Sequence, residues 1–213
     1  MYNLHCHSLL SDGALLPSEI AVRFAVAGYQ TIAITDHVDY SNIEPVTSAL
    51  MEFCRRWPRD AAIKVLPGIE LTHLPLAQFR PLAKYARAKG IKVIIGHGET
   101  AAEPVAPGAN RACLEADIDI LAHPGMISEA DVRLAKERNI FLELTSRKGH
   151  CDSNKHVARQ ALELGAKLIL SLDAHQPEDI ISPQELEQIG IRAGLAPQYI
   201  AEISHNVTRF LQK

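Results

Sequence analysis

The feature that most constrains how this chain can fold is a repeat of short apolar runs, each followed by a helical stretch. After an opening extended segment around Asn3–His7, the runs are Thr31–Ile34, Ala62–Leu66, Ile91–Ile95, Ile118–Ala122, Ile140–Leu144 and Lys167–Leu172. Between and after them, helices are predicted over Pro17–Ala27, Ile43–Arg56, Pro75–Lys89, Asn110–Ala116, Ser128–Arg138, Asn154–Leu164, Pro183–Ala193, Pro197–Ile203 and from Asn206 to the end. Pro17 is suited to a first helical position, Gly28, Gly90 and Gly165 to stops, and Ser128 to an N-cap. Uninterrupted apolar strands of this length are buried on both faces, which points to a mainly parallel sheet covered by helices. Seven βα units at intervals of roughly 25 to 30 residues, with no linker or low-complexity segment, imply one α/β domain over residues 1–213. The candidates are a (β/α) barrel one strand short of eight and a doubly wound open sheet.

The ends of the runs favour the barrel. They carry His5 and His7, then His37, Glu70, His97, His123, Arg147, and finally Asp173 with His175. In a parallel barrel all C-terminal strand ends meet on one rim, whereas an open sheet would spread them along a line. Side chains two apart on a strand share a face, so His5 pairs with His7, Thr35 with His37, and Asp173 with His175. Neutral imidazole is the commonest metal ligand. One strand-end histidine means little, but five separate strands ending in this way point to a metal centre.

Composition narrows the partners. The chain has 47% hydrophobic and 22% charged residues and a net charge of -3. It shows no basic stripe, which argues against nucleic acid, and no apolar run near the ~20 residues that span a membrane. The histidine-containing start is no signal peptide, and Cys6, Cys54, Cys113 and Cys151 have no paired spacing, so the reading is a reduced, cytoplasmic protein. Ten histidines are about twice an ordinary share.

The motifs His5-Cys6-His7 with Asp12, Thr35-Asp36-His37, Gly68-Ile69-Glu70, Gly96-His97-Gly98-Glu99, Ala122-His123-Pro124-Gly125 and Asp173-Ala174-His175 resemble, in order and over essentially the whole chain, the PHP family, named for polymerase and histidinol phosphatase. Asn3 departs from the aspartate often found before the first pair in that family. The resemblance implies a distorted (β/α)7 TIM-like barrel. It also implies nine metal ligands, His5, His7, Asp12, His37, Glu70, His97, His123, Asp173 and His175, around three divalent ions (Zn, Fe or Mn). By the same resemblance His5, His7, Glu70 and Asp173 hold one ion, a bridging Glu70 with His97 and His123 the second, and Asp12, His37 and His175 the third.

Three divalent ions against three carboxylates leave a positive site suited to a compact anion. The implied activity is hydrolysis of a small phosphomonoester, as in histidinol phosphatases, by metal-activated hydroxide, with Asp12, Glu70 and His175 in the catalytic roles and Asp12 or His175 as the acid for the leaving oxygen. A nuclease or nucleotide phosphoesterase is the alternative within the family, and a non-catalytic metal-binding accessory module a further one. Arg147, Lys148 and His150, on the loop after the run Ile140–Leu144, are candidate substrate contacts, since arginine binds phosphate bidentately. His73 is a candidate for the mouth of the site, Asp36 for a hydrogen-bonding support, Glu99 and Glu103 for solvent-facing loop charges, and Asn206 with Arg209 for structural roles. Oligomeric state and exact substrate are left open.

Overall fold

The computed structural model describes residues 1–212. Its strands are β1 (Tyr2–Asn3), β2 (Thr31–Ile34), β3 (His37–Val38), β4 (Lys64–Leu71), β5 (Val93–His97), β6 (Ile120–Ala122), β7 (Phe141–Thr145) and β8 (Leu168–Ser171). All pairs are parallel, in the order β1-β2-β4-β5-β6-β7-β8. The short β3 continues β2: β2 pairs with Lys64–Pro67 and β3 with Glu70–Leu71 of the same long β4. The barrel nearly closes where β1 meets β8. There Cys6 bridges Ala174, Asp173 N–H donates to the His5 carbonyl at 3.0 Å, and His7 N–H donates to the Ala174 carbonyl at 2.9 Å. Asn3 stitches the same seam, accepting from Leu172 N–H at 2.8 Å. The predicted barrel is therefore the fold.

The helices α1 (Pro17–Val26), α2 (Ile43–Arg56), α3 (Phe79–Ala88), α4 (Ala109–Glu115), α5 (Glu129–Arg138), α6 (Asn154–Leu164), α7 (Pro183–Arg192) and α8 (Pro197–Phe210) cover the outside. Their ends obey local chemistry. Ser128 Oγ accepts from Asp131 N–H to cap α5, and Ser182 with Glu185 forms a capping box on α7. Two expectations need correction. The run 62–66 leads into an eight-residue strand, Lys64–Leu71, that passes through Pro67 and Gly68 and includes Glu70. Pro67 still accepts from Lys92 N–H through its carbonyl, and a Cβ on Gly68 would stand 2.6 Å from Thr35 Cγ2. The two C-terminal helices are one, α8, because no breaker lies between Ile203 and Asn206.

Alternation along the strands builds the interior. Tyr2, Leu4, Ala33, Val93, Ile95, Ile120, Ala122, Phe141 and Ile169 fill the barrel, and Val207, Phe210 and Leu211 at the C-terminal end of the chain pack against them. The opposite faces, including Ile32, Ile69, Ile94, Leu121, Leu142 and Leu170, join the larger core with the helices. Along the inward face the residues change from apolar to polar toward the C-terminal end: Leu66 and Gly68 give way to Glu70, Val93 and Ile95 to His97, and Ile169 and Ser171 to Asp173.

Candidate metal centre

The strand-end groups converge on a cavity of about 450 Å³ at the C-terminal mouth of the barrel. Asp12, His37, His97, His123, Asp173 and His175 line it with Arg147 and His150, while His5, His7 and Glu70 are buried behind them. His123 is not placed by alternation, because it follows the inward-facing Ala122 directly. A positive φ of 27° accompanies that inward turn, and Asp173 has φ 55°. Left-handed backbone at non-glycine residues costs on the order of 1–3 kcal/mol and is found where function demands it.

Two carboxylates organise the centre. Glu70 Oε2 lies 3.2 Å from His5 Nε2, 3.5 Å from His7 Nε2 and 3.0 Å from His37 Nδ1, with Oε1 3.6 Å from His123 Nε2. Asp173 Oδ1 lies 3.2 Å from His7 Nε2 and 3.6 Å from His5 Nε2. At the mouth, Asp12 approaches His175 Nε2 at 3.3 Å and His37 Nε2 at 3.6 Å. The His7 ring is stacked between those of His37 and His175, each centroid 4.1 Å away.

These spacings suit ions. Donors bound at about 2.0–2.1 Å in tetrahedral geometry stand roughly 3.3 Å apart, longer than a good hydrogen bond. Both ring nitrogens of His7, Glu70 Oε1 and His123 Nδ1 are buried without a hydrogen-bond partner. Each such atom costs on the order of 1–3 kcal/mol unless something binds it, and an oxygen and nitrogen donor set of this kind fits divalent transition metals. Donor atoms within 4.8 Å of one another form the groups His5–His7–Glu70, Glu70–His97–His123, His5–His123–Asp173 and His7–Asp12–His37–His175, and at the outer rim His73–His97–Glu103. The second matches the expected set, the fourth adds His7 to its expected three, and the expected first set is divided between two groups that share His5.

Burial and charge pull the donor groups in different directions. Burial disfavours charge on His5, yet Glu143, Asp173 and Glu70 outweigh it and hold its pKa well above the ordinary value. Burial, reinforced by neighbouring imidazoles, pushes His7 and His123 well below. Burial would raise Glu70, but His5 and His37 hold it well below the usual carboxylate range. Asp173 goes the other way, raised to about 7 by burial with Glu70 and Glu143 nearby, against His5. Asp12 is held down to about 2, because hydrogen bonding to His175 and the charge of His37 outweigh its partial burial.

The weaker candidates divide. Arg147 lines the cavity, 3.6 Å from Asp173 and 3.7 Å from Asp179, and His150 is buried beside it. Lys148 is exposed and does not line the cavity, since the turn at 147–149 points it outward. His73 reaches the mouth, 3.2 Å from Glu103. Glu103 is no mere solvent charge: it also meets His97 and His150 at 3.3 Å each, and hydrogen bonding to His97 holds it down to about 2 against burial. Glu99 caps the start of the α4 region, accepting from Gly108 and Asn110 N–H at 3.0 Å. Asp36 supports no imidazole; it binds Ser8 and Ser11 and so fastens the turn that leads to Asp12. His156 Nε2 lies 2.8 Å from the Ile127 carbonyl oxygen, away from the cavity, and Arg209 lies exposed on α8.

Sequence reasoning missed Glu143. It is fully buried on β7, with Oε1 2.7 Å from His5 Nδ1 and accepting from Ser171 Oγ at 2.6 Å, while Oε2 accepts from His123 N–H at 3.0 Å. The available signal was a lone carboxylate inside the apolar run Phe141-Leu142-Glu143-Leu144, on the inward phase with Phe141. Thr72 was missed as well; its Oγ1 lies 2.6 Å from His37 Nδ1.

The sequence profile of the PHP domain matches residues 3–104. A relative of Methanocaldococcus jannaschii, itself uncharacterized, is 41% identical over 199 residues, covering 91% of this chain and 90% of that protein. The chain belongs to the PHP family of metal-dependent phosphoesterases. The DNA polymerase/3'-5' exonuclease PolX of Bacillus subtilis is 26% identical over 195 residues, covering 83% of this chain and 34% of that longer protein. Among solved structures, histidinol phosphate phosphatase of Lactococcus lactis, crystallised with zinc, L-histidinol and phosphate, superposes with a TM-score of 0.65 at 17% identity, covering 92% of this PHP chain and 94% of that one. That likeness extends the agreement of fold to the β7–β8 and C-terminal region, beyond the matched residues 3–104.

Proposed function

We propose that this PHP chain hydrolyses a small phosphomonoester at a centre of three divalent cations. The observation that carries the reading is the set of buried, partnerless donor atoms on His7, Glu70 and His123 at the focus of nine convergent side chains. His5, His7, Glu70 and Asp173 would hold one ion, Glu70, His97 and His123 a second, and Asp12, His37 and His175 a third with His7 at its edge. Bound there, such ions supply Lewis acidity and lower the pKa of a water to near ~7.

The remaining residues do the positioning. Among the described residues Arg147 is the only lysine or arginine lining the cavity, and from its place beside Asp173 it can take a phosphate oxygen. A proton must reach the leaving oxygen, and Asp12, held near 2, carries none at neutral pH. His175 Nε2 can hold that proton only when it is not a donor to an ion. His73 and His150 stand outside the nine and line the same cavity.

A cavity of about 450 Å³ with one basic side chain suits a compact monoester better than a polynucleotide, whose phosphates call for a basic track. The test is phosphate release by protein loaded with Zn, Mn or Fe from three substrates: histidinol phosphate, a nucleoside monophosphate and a short 5'-phosphorylated oligonucleotide. Turnover of a small monoester without shortening of the oligonucleotide is the expected result. Shortening of the oligonucleotide alone would replace this reading with a nuclease.

A further inference from the structure

Glu143 carries a carboxyl group with no accessible surface, in a barrel interior filled mostly by aliphatic residues and aromatic rings such as Phe141. Burying a carboxylate is costly unless its oxygens are fully hydrogen-bonded. Here they are, and the partners come from three separate segments: His5 after β1, His123 after β6, and Ser171 of β8. Two of those partners belong to residues that point at the cavity. A carboxylate only accepts, so the proton of a neutral His5 ring sits on Nδ1 and Nε2 is left bare, facing Glu70 at 3.2 Å and Asp173 at 3.6 Å. At His123 the contact is with the backbone N–H of the residue whose φ of 27° accompanies the inward turn of its ring. The same carboxylate thus fixes the tautomer of one imidazole and anchors the strained backbone of another.

We infer that Glu143 is a positioning residue that couples two cation positions, the one at His5 and the one at His123, and leaves the one at Asp12, His37 and His175 independent. This rests on the reading of the cavity as a cation centre. None of Asp12, His37 and His175 has a hydrogen bond or ion pair with Glu143; their supports are Thr72 for His37, the Asp173 carbonyl for His175, and the turn fastened by Asp36 for Asp12. Loss of a hydrogen-bonded support behind a ligating histidine typically weakens metal binding about 10- to 100-fold. Glu143 supports two residues at once, so both positions should weaken together.

Glu143→Gln keeps the shape but puts a donor where an acceptor is needed, facing either His5 Nδ1–H or His123 N–H. Ser171→Ala removes only the third partner and leaves both histidine contacts in place. The experiment measures zinc content by mass spectrometry after dialysis of the intact protein against a graded chelator series, with far-UV and near-UV circular dichroism to verify folding. The parent should lose zinc in separable steps. E143Q should lose about two equivalents at chelator strengths 10- to 100-fold lower and retain the last step unchanged, while S171A should follow the parent within about twofold. Cobalt(II) substitution gives a second readout: the visible bands of the weakened positions should change in E143Q and remain in S171A. Equal weakening of every step in E143Q, or equal effects of E143Q and S171A, would overturn the coupling and leave Glu143 a general packing element. A parent that binds no zinc would instead overturn the cation centre itself, so the two failures are distinguishable.

Discussion

His37 and Glu70 are cross-strand partners in the parallel pairing of β3 with β4, and their side chains meet, His37 Nδ1 lying 3.0 Å from Glu70 Oε2. With Nδ1 also 2.6 Å from Thr72, the ring presents Nε2 toward Asp12 at the mouth. Backbone register therefore fixes which nitrogen of His37 is free, and Glu70 becomes the group through which the inner and outer parts of the centre touch. Glu70→Gln preserves the side-chain volume while removing the central charge. Metal content should fall, and phosphate release should drop by at least about 10- to 100-fold, the scale seen when even a support of a metal ligand is lost. Metal analysis and phosphate release on the same preparation test this. Parent-level turnover by a metal-depleted E70Q protein would end the proposed mechanism.

The neighbouring cations Arg147 and Lys148 should behave differently. Arg147 faces the cavity and Asp173; Lys148 is exposed outside it. A charge-assisted hydrogen bond to phosphate is worth roughly 1.5–3 kcal/mol, so Arg147→Ala should lower kcat/KM by about 10- to 100-fold. Lys148→Ala should leave it within about twofold, as expected for an exposed surface charge. Steady-state kinetics on the best small monoester decides the comparison. Equal losses in both variants would mean that long-range charge, not contact, attracts the substrate.

The sequence is most informative where one rule governs placement. His97 follows from alternation, since it continues the inward phase of an apolar strand, and the opening segment with the six runs suffices to define the barrel. Glu70 joins that phase only because the strand passes through Pro67 and Gly68. His123 does not follow from alternation; a left-handed backbone turns it inward, and a single histidine two residues before a glycine does not announce that. Glu103 reads as solvent charge in the sequence because nothing local indicates that a Pro/Gly-rich loop folds back over three histidines from three different segments. Glu143 is the reverse case. Its signal was local and simple, a carboxylate inside an apolar strand, but its partners lie 138, 20 and 28 residues away and only the fold brings them together.

Without metal, the centre should make stability fall as pH rises above neutrality. His5, His37 and His97 are raised above their unfolded value of 6.5, because Glu70 and the other carboxylates outweigh burial. Their stabilising charge is fully present below 6.5 and is lost as pH climbs through the folded values. The Asp173 carboxyl, at about 7 in the fold against 3.8 in the unfolded chain, acts in the same direction, since the native state binds the extra proton between those values. His7 and His123, held below 6.5 by burial, act oppositely, but only below 6.5, where the unfolded chain protonates them. Thermal unfolding of chelator-treated protein should therefore show a falling Tm from about pH 7 to 9. Metal-loaded protein should lack that fall, because ions take the place of the protons. A metal-free Tm that rises over this range would contradict the charge arrangement among these carboxylates and imidazoles.

The loops after β5 and β6 pack backbone to backbone, which makes Gly125 a stringent test of the rim. Its φ is +61°, and a Cβ there would stand 1.9 Å from the Glu99 carbonyl oxygen. No flexible side chain can yield at that contact; either the His123–Gly125 turn or the Glu99 segment must move. Gly98 repeats the constraint from the other side, where a Cβ would stand 2.3 Å from the Ala122 carbonyl oxygen. Because the two segments carry His97 and His123, displacement of one separates donors that share Glu70. Gly125→Ala should therefore cost about 3 kcal/mol of folding stability, at the upper end of ordinary substitutions. It should also weaken metal binding at the Glu70–His97–His123 position more than at Asp12–His37–His175. Chemical denaturation of the metal-free protein gives the first quantity and stepwise zinc release the second. Unchanged stability together with unchanged zinc release would show that these loops do not meet in this way.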